Sequence, residues 1–464
     1  MKPGLKVVAA LCLALGMAGG FAPPAVAGPA GGAPKEAIEV GPEGLTRIAM
    51  IALANGHPDI ARKAALSLIA RNPEDFGAQI LLSHAARDLG DYAEAAAAAR
   101  KALSLARNDG QKTQASFAMA QARSSAGNRT AAQFWLRRAA QTAPTPQIRA
   151  QAIRDFRYVR MRNPWTVNLD FGASPSSNVN GGTGADTIWI YGLPFTLSGD
   201  SQALSGLEEH ASLSVERTVI ENERHVARLG FNLAGRTYTL SDAAKRKAPG
   251  AQGSDYAFWA SEIYLAQRWH ATRGRDEWDL RLLAGHNDYS GAPLSNYLGF
   301  DAGRSFTFGA DRALHLGTTV QRQWRLDNDV NSSVLRMADL DWRQRLGPGV
   351  FSFGLFGGQA ASDARTVASI RKGVSLGYDL AKPVFGAALS FDLGYERRDF
   401  GLMPFDSENR TDHRVTLGAT AFLRDHDYLG FAPELGLTYT RNRSNSVLYD
   451  SRDMSFSMRL RSAF

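Results

Sequence analysis

Nine histidines are the residues best able to do chemistry in this chain, and their spacing argues against it. They stand at 57, 84, 210, 225, 270, 286, 315, 413 and 426, with no pair at metal-ligand spacing and no HExxH. One triplet could support hydrolysis: His210-Ala211-Ser212 puts an imidazole and a hydroxyl on one face of a strand, but the sequence supplies no evident acid to orient the ring. The only cysteine is Cys12. No nucleotide or cofactor motif appears, so the chain reads as a non-enzyme without catalytic, cofactor-binding or metal residues.

The elements that would carry such residues are more telling. Met454, Phe456, Met458 and Leu460 alternate with Ser455, Ser457, Arg459 and Arg461, and the strand runs out to Phe464. An apolar face backed by a polar, basic one is expected of a transmembrane barrel strand, with lipid on one side and a wet lumen on the other. Phe464 then reads as a barrel assembly signal, and Arg459 and Arg461 as lumen residues.

The amino terminus agrees. Lys2 and Lys6, the apolar run Val7–Met17 and Ala25-Val26-Ala27 predict a signal peptide over 1–27, which would carry Cys12 away. Removing the two lysines lowers the formal charge from +8 to +6. Nucleic acid is an improbable partner in that compartment. No stretch reaches the about 20 apolar residues of a membrane-spanning helix. Mean hydropathy of -0.24 is no objection to a barrel, whose lipid face occupies every second residue.

The chain divides near Asn163-Pro164. Residues 28–42 are Gly-, Pro- and Ala-rich and read as a flexible leader. Residues 43–162 are Ala-rich with helical spacing. Gly56, Gly90 and Gly127 lie 34 and 37 residues apart, and each is followed five residues later by a small residue: Ala61, Ala95 and Ala132. Pro73 and Pro144 close their repeats. This predicts three tetratricopeptide-like repeats, whose period is about 34, with a capping helix near 146–160. That helix carries a basic cluster, Arg154, Arg157, Arg160 and Arg162.

From 163 to 464 the period changes to two. Alternating segments are predicted near 164–172, 205–220, 223–239, 254–270, 275–289, 293–307, 312–326, 332–346, 349–361, 366–380, 383–399, 411–424, 431–443 and 453–464, fourteen in all. The fold class is therefore a two-domain α + β protein: an α-solenoid followed by a 14-stranded antiparallel barrel. Short links alternate with long ones, at 173–204, 240–253, 400–410 and 444–452, which puts the helical domain on the periplasmic, short-turn side. Trp165, Trp269, Trp278 and Trp342 would form the girdle at that end. Val415, Leu417, Ala419, Ala421 and Leu423, with Phe385, Ala387, Leu389, Phe391 and Leu393, are expected to face lipid. Arg414 and Asp392 are expected in the lumen. In 332–346, Leu335 and Met337 share a phase with Asp339 and Asp341, which points to a bulge or a shifted register. The run Thr187–Tyr191 within 173–204 is apolar enough to be a plug or a strand, and a plug or gate is the favoured expectation.

After the first strand comes Ser174-Pro175-Ser176-Ser177-Asn178-Val179-Asn180. With the architecture above, this stretch resembles the surface lipoprotein assembly modulator (Slam) family, in which Ser-Pro-acidic-Ser-Asn-Ile-Asn occupies that place. Ser174, Pro175, Ser177, Asn178 and Asn180 match, and Ser176 replaces the acidic residue. The resemblance implies an outer-membrane translocator that carries surface lipoproteins or related secreted proteins outward. Its implied partners are the client, periplasmic chaperones, the barrel assembly machinery and outer-membrane lipids. The alternative is an exopolysaccharide export porin, which also joins periplasmic repeats to a barrel but usually has many more of them.

Overall fold

The computed structural model describes residues 40–190, 193–271, 276–402 and 408–464. The expected signal peptide and nearly all of the expected leader lie outside these residues.

Seven helices open the described chain: α1 (Pro42–Ala54), α2 (Pro58–Arg71), α3 (Phe76–Asp88), α4 (Tyr92–Leu105), α5 (Asp109–Ser125), α6 (Arg129–Gln141) and α7 (Pro146–Met161). They pair as α1/α2, α3/α4 and α5/α6, with α7 against α6. Within each pair the turn has one local solution. Gly56, Gly90 and Gly127 take φ of 74°, 85° and 80°, a region closed to most side chains, which ends one helix. The next helix is then capped at two of the three turns: the Asp91 carboxylate accepts from Glu94 N, and the Asn128 side chain from Ala131 N. Ala61, Ala95 and Ala132 are fully buried, because only a methyl group fits where the helices cross. Among the described residues no helix is long and apolar enough to cross a membrane.

Fourteen strands close into an antiparallel barrel: β1 (Trp165–Ser176), then β4 (Gly206–Glu221), β5 (His225–Leu240), β6 (Phe258–His270), β7 (Asp276–Tyr289), β8 (Ala292–Phe308), β9 (Arg312–Arg325), β10 (Ser333–Leu346), β11 (Gly349–Ser362), β12 (Ser369–Leu380), β13 (Ala388–Phe400), β14 (Thr411–Phe422), β15 (Phe431–Ser444) and β16 (Ser451–Ser462). A separate hairpin, β2 (Thr187–Ile190) and β3 (Leu193–Thr196), lies in the first long loop. Strands of 12 to 17 residues exceed the about 9–11 needed to cross a bilayer when tilted.

Three expectations change. β1 extends to Ser176, because it pairs with β4 as far as Ser176↔Gly206, so Ser174 and Pro175 belong to the strand rather than following it. β10 is regular, with no bulge against either neighbour. Leu335 and Met337 do share the interior phase, where Met337 Sδ lies 2.9 Å from Arg371 Nε. Phe385 and Ala387 are not strand residues facing lipid: Val384 and Ala387 close a tight turn in which Phe385 and Gly386 both have positive φ, and Phe385 is wholly exposed. Of the two forms expected of the run at 187–191, Thr187–Ile190 takes that of a strand, paired with Leu193–Thr196, with Ile188 buried and Trp189 70% exposed; Tyr191 lies outside the described residues.

The four girdle tryptophans share the outward phase at the periplasmic ends of β1, β6, β7 and β10. Trp269 stacks on His225 and Trp342 tilts against Phe308.

Candidate functional site

The interior phase of the strands builds a polar path. Tyr264 OH on β6 donates to Glu216 on β4, reaching across Gly230 of β5, and Tyr297 OH on β8 donates to Glu262 on β6 across Gly285 of β7. A Cβ at either glycine would collide with the tyrosine ring, so the missing side chain is what lets the ring lie against the wall. Arg281 bonds Glu262 and lies 3.7 Å from Asp301, and Arg398 bonds Glu396 at 2.6 Å. Charges of both signs are interleaved, so the wall offers no single-sign field.

Of the residues expected in the lumen, Arg459 and Arg461 both reach Glu434 of β15, by Nε at 2.7 Å and Nη1 at 2.8 Å, and enclose a carboxylate whose side chain is 3% exposed. Arg414 pairs in register with Glu396, and Asp392 with Gly418. The first two are thus brought together, while Asp392 and Arg414 lie at different heights.

His210 also points inward. Its Nε2 is 3.5 Å from Asp170 of β1 and its Nδ1 3.9 Å from Glu208. The structure thus provides the acid that the sequence did not reveal. However, His210 Nδ1 is buried without a hydrogen-bond partner, and no hydrogen bond joins His210 to Ser212 among the described residues. The nucleophile–base contact that would activate the serine is thus not made here. No group of three or more His, Cys, Asp or Glu among the described residues is arranged to hold a metal ion.

The Ser-Pro-Ser-Ser-Asn motif forms a clasp. Asp453 at the outer end of β16 accepts from Ser176 Oγ (2.8 Å), Ser177 N (3.1 Å), Ser177 Oγ (3.0 Å) and Asn178 N (3.1 Å). Asn180 continues the work into the loop, donating to the Asp200 and Gln202 carbonyls and accepting from Leu204 N. Leu204 and Val179 then pack with Tyr238, Leu240, Ala244 and Ala248 as an outer cap. Ser176 donates to an acid on the facing strand, so a hydroxyl does at this position what a carboxylate there could not.

At the other rim the repeat domain is docked onto the β14–β15 turn and the chain end. Arg137 of α6 donates to the Leu429 (3.3 Å) and Gly430 (2.8 Å) carbonyls and to Ser462 Oγ (2.8 Å). Its guanidinium lies 4.4–5.1 Å from the rings of Phe156, Phe431 and Phe464. Phe464 meets Phe156 edge to face at 5.3 Å. Arg149 bonds Asp427, and Gln141 Oε1 accepts from Leu429 N at 2.7 Å. Burial, with Arg160 nearby, pulls the Arg137 pKa down to about 10. Of the basic cluster on α7, Arg157 lines, with Arg149, a cavity of about 540 Å³ at this joint, and Arg162 covers the Tyr158 ring. No sequence pattern singles out Arg137, whose partners lie about 290 residues away.

A closed 14-strand barrel with a polar interior and a repeat domain fixed to its short-turn rim defines an outer-membrane barrel with a periplasmic tetratricopeptide domain. Comparison with known families narrows this. A model described as surface lipoprotein assembly modifier matches residues 311–464, which hold β9 to β16, and a tetratricopeptide-repeat model matches 46–113. The family resemblance read from the sequence is thereby matched over the second half of the barrel. No curated protein matches the chain. Among solved structures, the repeats are similar to an O-GlcNAc transferase mutant of Thermobaculum terrenum (18% identity, 25% of this chain, TM-score 0.23). The chain spans only 22% of that enzyme's length. They are also similar to the type III secretion translocator chaperone SycD of Yersinia enterocolitica (17% identity, 26% of this chain and 83% of that one, TM-score 0.24). The barrel is similar to OmpT, an outer-membrane protein of Vibrio cholerae (10% identity, 64% of this chain and 97% of that one, TM-score 0.33).

Proposed function

We propose that this protein moves surface lipoproteins, or related secreted proteins, from the periplasm through the barrel to the cell surface, with the repeat domain engaging the client or its chaperones. The observation that carries the reading is the docking of the repeats. Arg137, Arg149 and Gln141 fix their stack beneath the barrel rim, so a client held there stays at high local concentration at the entrance.

A barrel of fourteen strands is narrower than the 16- to 18-stranded barrels that leave an aqueous channel, and suits an extended chain or a hairpin. With no nucleotide site in the sequence, folding of the client outside supplies the direction. Phe464 serves as the assembly signal before it is covered by the repeats, and Arg459 and Arg461 face the cargo. The interleaved charge of the wall suits a polypeptide better than a polymer of uniform charge. The test is deletion of the gene followed by labelling of intact cells for surface lipoproteins: loss of one or more from the surface is expected, and unchanged display of all of them overturns the proposal.

A further inference from the structure

The barrel is closed unevenly. β1 pairs with β4 along its whole length, from Trp165↔Arg217 to Ser176↔Gly206. Against β16 it makes only three pairs, Gly172↔Arg459, Ala173↔Met458 and Ser176↔Ser455, all in one register and all in its outer half. Continuing that register would set Phe171 opposite Leu460 and Leu169 opposite Ser462, but these pairs are not formed. β16 keeps its regular pairing with β15 as far as Phe431↔Ser462, and its last residues are held by the β14–β15 turn and the repeat domain. Ala463 N donates to the Gly430 carbonyl at 2.8 Å, Arg424 Nε donates to the Ala463 carbonyl, and Arg137 and Phe156 hold Ser462 and Phe464. The outer half of the same seam is clasped by Asp453 and the Ser-Asn motif.

The edge so exposed, Trp165-Thr-Val-Asn-Leu-Asp-Phe171, spans about 23 Å at about 3.3 Å per residue. Of the devices that blunt a free edge it lacks lysine, proline and a bulge, and carries one, the inward-pointing Asp170, which is engaged by His210 of the neighbouring strand. Trp165 through Leu169 are exposed on both faces, unlike the interior phase of most other strands. The Trp165 amide is met by Asn163 Oδ1 at 3.3 Å, but from Val167 onward amides and carbonyls without a ladder partner at membrane depth cannot stay in hydrocarbon. They need a polar partner that follows the strand.

We propose that the β1 edge from Trp165 to Phe171 is a docking edge for an extended segment of the client, which joins the wall as an added strand between β1 and β16. This rests on the translocator reading above. Two observations favour the client as occupant. The edge is continuous with the docked repeat domain: α7 ends at Met161, four residues before Trp165, and exposes Tyr158 and Met161 on its last turns. The edge also has two chemistries. Val167, Leu169 and Phe171 face outward, while Asn168, Asp170 and His210 face the polar interior. A segment of period two seated there keeps its apolar phase in lipid and its polar phase in the lumen. A lipid attached to such a segment need never leave the hydrocarbon.

Two experiments test this, and neither needs the native cysteine, since Cys12 lies in the expected signal peptide, which can be replaced. In the first, the purified full-length protein carrying Val167→Cys is mixed with short synthetic Val/Thr-alternating peptides bearing one cysteine at successive positions. Disulfides are expected at every second position and are expected to vanish in a protein locked by Phe171→Cys with Leu460→Cys. Crosslinking without the period of two, or between two copies of the chain, overturns the proposal.

In the second, a deletion strain is complemented with the locked pair, and with a control pair, Ala173→Cys with Met458→Cys, in the half already zipped. Surface lipoproteins are measured with and without reductant. Loss of display on oxidation of the first pair alone supports the docking edge. Full display with the first pair oxidised sinks it while leaving the translocator reading intact. Display that does not differ between wild type and deletion sinks that reading instead, and leaves the peptide experiment to decide the edge.

Discussion

Replacing Arg137 with alanine tests whether the repeat domain is held to the barrel by the contacts described. Two of its hydrogen bonds are 2.8 Å, to Gly430 O and Ser462 Oγ, and bonds from a charged donor contribute about 1.5–3 kcal/mol each. Stacking against three rings adds about 1–2 kcal/mol. Burying a guanidinium without a close acid, which brings its pKa down to about 10, costs several kcal/mol of this. A net loss of about 3 kcal/mol is roughly a 100-fold shift toward the undocked state. The Leu429 amide is a built-in reporter, because its hydrogen bond goes to Gln141 of the repeat domain, whereas the Ala463 amide bonds within the barrel. Hydrogen exchange on the purified full-length protein should show Leu429 protection falling by about that factor and Ala463 staying within a few-fold. Lysine at 137 should recover little, since an ammonium cannot span both acceptors at once. Unchanged protection at Leu429, or an equal fall at Ala463, would refute the docking argument.

Other substitutions probe separate parts. Asp453→Ala removes the acceptor of four hydrogen bonds and should weaken the β1/β16 seam by about 2–3 kcal/mol, seen as faster exchange in Ser455–Arg459 but not in β10. Phe385→Asn should stabilise the barrel by about 0.5–1 kcal/mol in a urea titration, because the exposed ring contributes no packing and asparagine tolerates φ of 50° far better. His84 has its pKa lowered, first by burial and then by Arg87. The unfolded chain then binds the proton more readily, so its contribution is present at neutral pH and is lost as pH falls below about 6.5. His84→Gln should flatten the fall in helix melting temperature between neutral and mildly acid pH, and an unaltered slope would count against it.

How much was legible in advance follows from how local each cause is. Barrel strands such as β14 were readable because lipid and water lie on opposite sides of one strand, so Val415, Leu417 and Ala419 announce their face without knowledge of their neighbours. Gly90 and Ala95 were readable because a helical turn and a tight crossing each demand one residue type. The tight turn at Phe385-Gly386 was missed because Pro383 is the stronger local signal, and a phenylalanine is a poor indicator of positive φ. Met337 looked out of phase because its partner, Arg371, lies two strands away in the barrel, across β11. The joint at Arg137 was invisible for the same reason, since its acceptors are backbone carbonyls of a turn that no side-chain pattern marks.

The motif and the chain end therefore act on one strand from opposite directions. At the outer end of β16, side chains replace a ladder that Pro175 interrupts, since proline offers no amide, and the Asp453 clasp holds β1 where backbone pairing is thin. At the inner end, Arg137 bonds Ser462 and Phe156 meets Phe464, so the last residues of β16 are engaged by the repeat domain where β1 has no ladder partner. A register that would admit Phe171↔Leu460 and Leu169↔Ser462 is given up for contacts with the repeats. On the docking-edge proposal, docking of the repeat domain and parting of the inner seam rest on the same contacts, and linkage would make them reciprocal: whatever loosens the repeats would favour a zipped seam, and whatever fills the seam would favour the docked repeats. A client held by the repeats would then meet an edge already open to it.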